Sequence, residues 1–222
     1  MNSETITISF ALQLISWLFV LSSLGWAIRT LPVNALRAEP RLQHLLFGAM
    51  VVLMLTWTFR AGLSQGLSIH FLGITTLVLM FGWDLAVLAG ALALVGITIV
   101  GIEDWSRLGL NTLTIVIIPA TVTLLILRFV ERAIPPNFFA YLFLVAFLGG
   151  GVTVASSGLS LGVLLGLDGI LSWGTIYHEY VRYLPLISFP EGLINGIIMT
   201  AMMVFHPDWI RTFDAKVYID SQ

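Results

Sequence analysis

Residues 69–102 read IHFLGITTLVLMFGWDLAVLAGALALVGITIVGI, and Asp84 is their one Asp, Glu, Lys or Arg. The hydrocarbon core of a bilayer takes about 20 apolar residues of helix to cross. The stretch is therefore expected to form two spans, 69–82 and 85–102, divided at Trp83-Asp84. Apolar runs of similar character lie on both sides, at 6–28, 44–59, 108–127, 138–167 and 183–205. Composition agrees: of 222 residues, 10% are charged and 58% hydrophobic, with a mean hydropathy of +0.99. Soluble domains carry roughly 25% charge, and 10 basic with 12 acidic side chains cannot cover a soluble surface of this size. The expected fold is an all-α polytopic membrane protein of about seven transmembrane helices in a single domain, 1–222.

The same figures exclude a secreted disulfide scaffold, a disordered chain and an ordinary cytosolic enzyme. With no cysteine there is no disulfide, thiolate metal site or cysteine nucleophile. A net charge of −2 leaves no basic surface to neutralise phosphates, so nucleic acid is not an expected partner. The flank before the first run holds Glu4 and no Lys or Arg, and the run is too long for a signal peptide. It is expected to be a retained span.

Orientation follows from the placement of Lys and Arg. With the amino terminus outside, Arg29, Arg37, Arg41, Arg128, Arg132, Arg211 and Lys216 fall inside. Arg60, Arg107 and Arg182 fall outside. The carboxyl terminus is then cytoplasmic, in what would be a bacterial inner membrane.

Titratable and amide groups near a bilayer need partners or a watery cavity, which makes them candidate site residues. The expected topology gathers His70, Glu103, Asp104, Asn111, Asp168, His178 and Glu179 toward the outer ends of spans. Neutral imidazole and carboxylate oxygen suit divalent first-row ions. His70 is the foremost candidate, either as a ligand in an outward pocket or as an interfacial histidine bonded to a loop carbonyl. Asn111 either caps the fifth span or lines a cavity. His178 and Glu179 are adjacent, so on one helix they point about 100° apart. Arg182 stands where a His-Glu-x-x-His motif needs its second histidine. Glu103 and Asp104, beside Arg107, either gather a cation or form a solvated turn. Ser156-Ser157 and the paired methionines 50/54 and 199/203 fit helix packing better than a nucleophile or a soft-metal site.

Several motifs come in a telling order: His70-Phe71-Leu72-Gly73, Phe81-Gly82-Trp83-Asp84, Glu103-Asp104-Trp105, Leu108-Gly109-Leu110-Asn111 and Ile118-Pro119. Near the end follow Phe189-Pro190-Glu191-Gly192-Leu193-Ile194-Asn195-Gly196 and Val204-Phe205-His206-Pro207-Asp208-Trp209. The series resembles the cobalt/nickel permease family of the CbiM/NikM type, the substrate-binding membrane components of energy-coupling-factor ABC transporters. The resemblance implies a permease that captures divalent nickel or cobalt outside. It implies as partners a transmembrane coupling subunit and cytosolic ATPases. No cofactor is held permanently, since the ion is the substrate. His70 matches the family's His-x-x-Gly ligand, and Asn111 a motif position near the pocket. Family members that carry metal begin Met-His, whereas this chain begins Met1-Asn2-Ser3-Glu4. Three expectations follow from that departure: a site drawing on Glu103, Asp104, His178 or Glu179, a different substrate, or a scaffold that no longer transports and serves a structural, assembly or sensory role.

Overall fold

The computed structural model describes residues 7–59, 61–64 and 67–218. Residues 1–5 and Arg60, which enter the sequence expectations, lie outside the described residues. Among the described residues, six helices are long and apolar enough to cross a membrane. Helix α1 (Phe10–Thr30) is started by Ser9, whose hydroxyl accepts the Leu12 N–H. The short α2 (Val33–Ala38) leads into α3 (Pro40–Thr58), which has proline at its first turn, where a missing N–H costs nothing. Then come α4 (Ile74–Ile99), α5 (Trp105–Ala133) and α6 (Phe138–Leu167). The last long segment, Trp173–Phe205, divides into α7 (Trp173–Glu179) and α8 (Leu184–Phe205). Between α3 and α4, Ala61–Ser64 and Leu67–Ile69 pair as a small antiparallel hairpin.

Helix α4 departs most from a simple span. Gly82, with φ 84° and ψ 165°, breaks it internally. A Cβ built on Gly90 would lie 3.2 Å from Ile74 Cδ1. In a straight helix those residues would be about 24 Å apart along the axis, at 1.5 Å per residue. The chain therefore reverses at Gly82, and the expected third and fourth spans are two antiparallel arms. The first arm, residues 74–81, is about 12 Å long, well short of a hydrocarbon core of ~30 Å. Residues 70–73 are non-helical, so the expected span at 69–82 is in fact loop and half-helix.

Both arms sit at the centre of the bundle, with Ile74, Val78, Leu79, Phe81, Ala86 and Val87 fully buried. Their near-continuous apolar composition is what a helix enclosed on all sides requires. The outer helices turn Phe10, Leu18, Phe47, Phe129 and Leu186 outward, as contact with lipid requires. In α5 the stretch Thr112–Ile117 widens into π-helical turns just ahead of Pro119, which has no N–H to offer the ladder. Helices α6 and α8 meet through glycine: a Cβ at Gly192 would collide with the Phe147 carbonyl, and one at Gly151 would come within 3.0 Å of the Ser188 carbonyl oxygen. Small residues let helix backbones close up in this way.

Replacing Gly82 by alanine forces a side chain into a backbone region that is essentially glycine's own, and sets its Cβ 2.7 Å from Arg211 Nη1. Gly82→Ala is expected to cost about 1–3 kcal/mol, read as a lower midpoint of thermal unfolding in detergent. Gly25→Ala, with nothing within 4 Å of the new Cβ, is the matched control. Equal midpoints for the two variants would contradict a strained reversal at Gly82.

Candidate functional site around the His70 loop

An α-helix leaves its first four N–H groups without partners inside the helix. Residue 73, at the start of the short arm, is a glycine in the left-handed region (φ 66°) and offers no capping side chain. The partners come from α8. One oxygen of Glu191 accepts the Leu72 N–H at 2.9 Å, and the other accepts the Gly73 N–H at 2.9 Å. Asn195, one turn further along α8, accepts the Thr76 N–H at 3.0 Å and the Thr76 hydroxyl at 2.6 Å through Oδ1. Its Nδ2 donates back to Glu191 Oε1 at 3.0 Å. Both side chains are buried, Glu191 2% and Asn195 1% exposed. The peptide joining Leu72 to Gly73 is gripped at both edges, because Trp57 Nε1 donates to the Leu72 carbonyl at 3.1 Å while Glu191 accepts the Gly73 N–H.

At the far end of the arm the orphan groups are carbonyls, and the segment after α8 supplies the donors. Thr212 bonds the Leu79 carbonyl with both its N–H and its hydroxyl, at 3.3 and 2.7 Å. The Arg211 N–H takes the Met80 carbonyl at 2.9 Å, and its Nη1 reaches the Phe81 carbonyl at 2.9 Å. The same nitrogen pairs with Asp84 Oδ1 at 2.6 Å, just past the reversal. One stretch of chain, from Glu191 to Thr212, thus holds both ends of the half-helix. A further line of hydroxyls, Thr75, Thr123 and Thr153, joins α4, α5 and α6 in the buried centre.

His70 sits two residues before Leu72, half-buried, with its ring edge-on to Trp57 at 6.1 Å between centroids. Its Nδ1 lies 3.2 Å from the Phe71 carbonyl oxygen. This is a loop-carbonyl contact of the kind expected for an interfacial histidine, and Nδ1 takes part in it as donor. Asn111 is buried and donates to Glu103 at 2.9 Å, which brings those two candidates together at the start of α5. Asp104 is exposed and caps the turn at Trp105–Arg107. The Ser106 N–H donating to its carboxylate holds it below the usual carboxylate range. His178 and Glu179 are exposed at the end of α7, the histidine ring against Tyr177. Among the described residues, no group of three or more His, Asp or Glu converges as a metal cluster. Ser156 spends its hydroxyl on the Thr153 carbonyl of its own helix, and Met199 and Met203 are core residues, both in keeping with packing.

Glu191, Asn195, Trp57, Asp84 and Arg211 were not among the candidate site residues expected from sequence. The signal for two of them was present, because an ionisable side chain inside an apolar run is expensive and marks a special position. Glu191 lies eight residues into the last run and Asp84 between two runs.

Comparison with known proteins identifies the family of the chain that carries this half-helix. Residues 5–209 match the CbiM family, described as the cobalt uptake substrate-specific transmembrane region. The chain belongs to this family. It is accordingly a membrane component of a transporter and not an enzyme. Among solved structures, a truncated transition metal transporter aligns with a TM-score of 0.74 at 17% identity, covering 93% of this chain and 100% of that one. A second transition metal transporter aligns with a TM-score of 0.74 at 16% identity, covering 90% and 91%. No curated protein sequence matches.

The contact at the reversal gives a direct test of this CbiM-family fold. Arg211→Ala takes the guanidinium from the buried Asp84 carboxylate, which keeps only the Leu85 N–H, and from the Phe81 carbonyl, an expected loss of about 1.5–3 kcal/mol. Adding Asp84→Asn removes the stranded charge and should return part of that loss. A double-mutant cycle in chemical denaturant measures the coupling, and strictly additive losses would show that the pair does not act as one.

Proposed function

We propose that this chain is the substrate-binding component of an energy-coupling-factor importer for nickel or cobalt ions, with His70 as its principal metal ligand. The observation that carries the reading is the placement of His70. It stands at the mouth of a half-helix whose adjoining loop is gripped on both sides, within a chain of the CbiM family. A ligand on so firmly held a loop is suited to binding an ion without first ordering the chain. Asn111 and Glu103 form a polar pair that would supply further oxygen donors, and His178, Glu179 and Asp104 are the remaining candidates. The ion is the transported substrate, and a coupling subunit with a pair of ATPases would supply the energy. The amino terminus is assigned to the outside and the carboxyl terminus to the cytoplasm. Clustering of Arg41, Arg128 and Arg211 around two neighbouring cavities at one end of the bundle supports that assignment.

A second reading rests on the contacts the candidates already make, His70 Nδ1 with the Phe71 carbonyl and the Asn111 amide with Glu103. In that reading the scaffold persists in a structural, assembly or sensory role.

Titration of the purified chain with Ni²⁺, Co²⁺, Cu²⁺ and Zn²⁺ separates the two. Import predicts saturable binding of Ni²⁺ or Co²⁺ that His70→Ala weakens at least tenfold. It also predicts co-purification of a coupling subunit and ATPases with the tagged chain. No binding above background, or binding indifferent to His70, would sink the import reading.

A further inference from the structure

We infer that Glu191, together with Asn195 and Trp57, forms a set of positioning residues that fixes the His70 loop from outside the loop itself. The inference rests on the reading of His70 as a metal ligand and adds what orients that ligand.

The argument begins with the cost of Glu191. A carboxylate 2% exposed within an apolar bundle is among the least favourable side chains to place there. It has no Lys or Arg partner among the described residues. Its bonds run instead to two consecutive main-chain N–H groups and to the Asn195 amide. A hydroxyl or amide at this position could cap one N–H. A carboxylate has two acceptor oxygens with parallel reach, which is what N–H groups of adjacent residues demand. The choice of residue therefore matches the fixing of a main-chain direction at residues 72–73 rather than the mere satisfaction of one donor.

That direction matters because of what lies two residues earlier. With the Leu72 carbonyl held by Trp57 and the Gly73 N–H held by Glu191, the peptide joining residues 72 and 73 is bonded at both edges, and the Leu72 N–H ties the preceding peptide to the same carboxylate. The Trp57 ring also flanks His70 edge-on. Asn195 holds the next turn through Thr76 and is itself fixed by Glu191. Helices α3 and α8 thus set both the main chain leading to His70 and one side of its ring. Groups that orient a metal ligand from behind are commonly worth 10–100-fold in affinity. None of the three residues needs to touch the ion.

The test uses the full chain in detergent and exploits its lack of cysteine. Phe71→Cys creates a single thiol in the loop, and a nitroxide spin label on it reports loop mobility by electron paramagnetic resonance without any metal. Affinity for Ni²⁺ and Co²⁺ is measured by titration calorimetry on chains without the label. Glu191→Gln keeps one carbonyl oxygen for Gly73 and Asn195, whereas Glu191→Ala keeps none. The expected order of label mobility is wild type, then Gln, then Ala, with metal affinity falling in parallel by about 10–100-fold overall. Trp57→Phe, which releases the Leu72 carbonyl from the opposite side, is the second route should the Glu191 variants fail to fold. It should raise mobility and lower affinity in the same way. Unchanged mobility and affinity in Glu191→Gln and Trp57→Phe, with binding lost in His70→Ala, would overturn the positioning role and leave the metal reading standing. If the wild-type chain binds neither ion, the metal reading fails instead. Label mobility alone then decides: a graded rise supports the clamp on the loop, and no rise overturns it.

Discussion

A helix that begins inside a membrane protein must have its first N–H groups met by something other than water. In hydrocarbon each unmet group costs several kcal/mol. Here Glu191 and Asn195 meet that demand from another helix, more than a hundred residues away in sequence. Much of the architecture follows from the requirement. Helix α8 has to pass close enough for a carboxylate and an amide to reach the arm. The contact of α6 with α8 is correspondingly lined with glycine, so that Gly150 lies against Asn195 and Gly192 against the backbone at Phe147. Trp57 of α3 closes the opposite side.

The other end of the arm obeys the same rule with the chemistry reversed, because helix carboxyl ends expose carbonyls. Arg211 and Thr212 are donors, and they meet acceptors at residues 79–81 and at Asp84. Tyr141 adds a hydroxyl contact at 2.6 Å to Thr212. Gly82 permits the turn that brings Asp84 and the Phe81 carbonyl to the same guanidinium. Arg211 satisfies two groups that a bulkier residue at 82 would drive apart. The half-helix is a strut between two polar brackets, with a packed apolar surround and little backbone left unpaired.

The all-α membrane class was legible from composition and run lengths, since a sequence with one charge in 34 positions has few other places to be. The break near Trp83-Asp84 was legible too. Its geometry was not: hydropathy registers two apolar runs and is silent on whether they stack end to end or fold back. The His-x-x-Gly likeness singled out His70, and the structure set it in a held loop. The brackets were hidden because hydrogen bonds between residues 118 or more positions apart leave no local pattern. Glu191 sits among apolar neighbours and reads as one odd letter in a span until the facing main chain is known. Asn111 illustrates a middle case. Its amide was expected to cap or to line a cavity, and it is buried against Glu103, joining two candidates that sequence had set eight positions apart.

The order in which the ribosome makes these parts gives the brackets a temporal meaning. The arm is synthesised 119 residues ahead of Glu191 when counted from Leu72. At about 5–20 residues per second that gap lasts roughly 6–24 s. Through that interval the Leu72, Gly73 and Thr76 N–H groups lack the side chains that accept them in the folded protein, and hydrocarbon supplies no substitute. The contacts at both ends of the arm are therefore completed only once α8 and the segment after it have been made. A truncation that removes α8 would delete one helix from the final fold and strand a second one that had already been made.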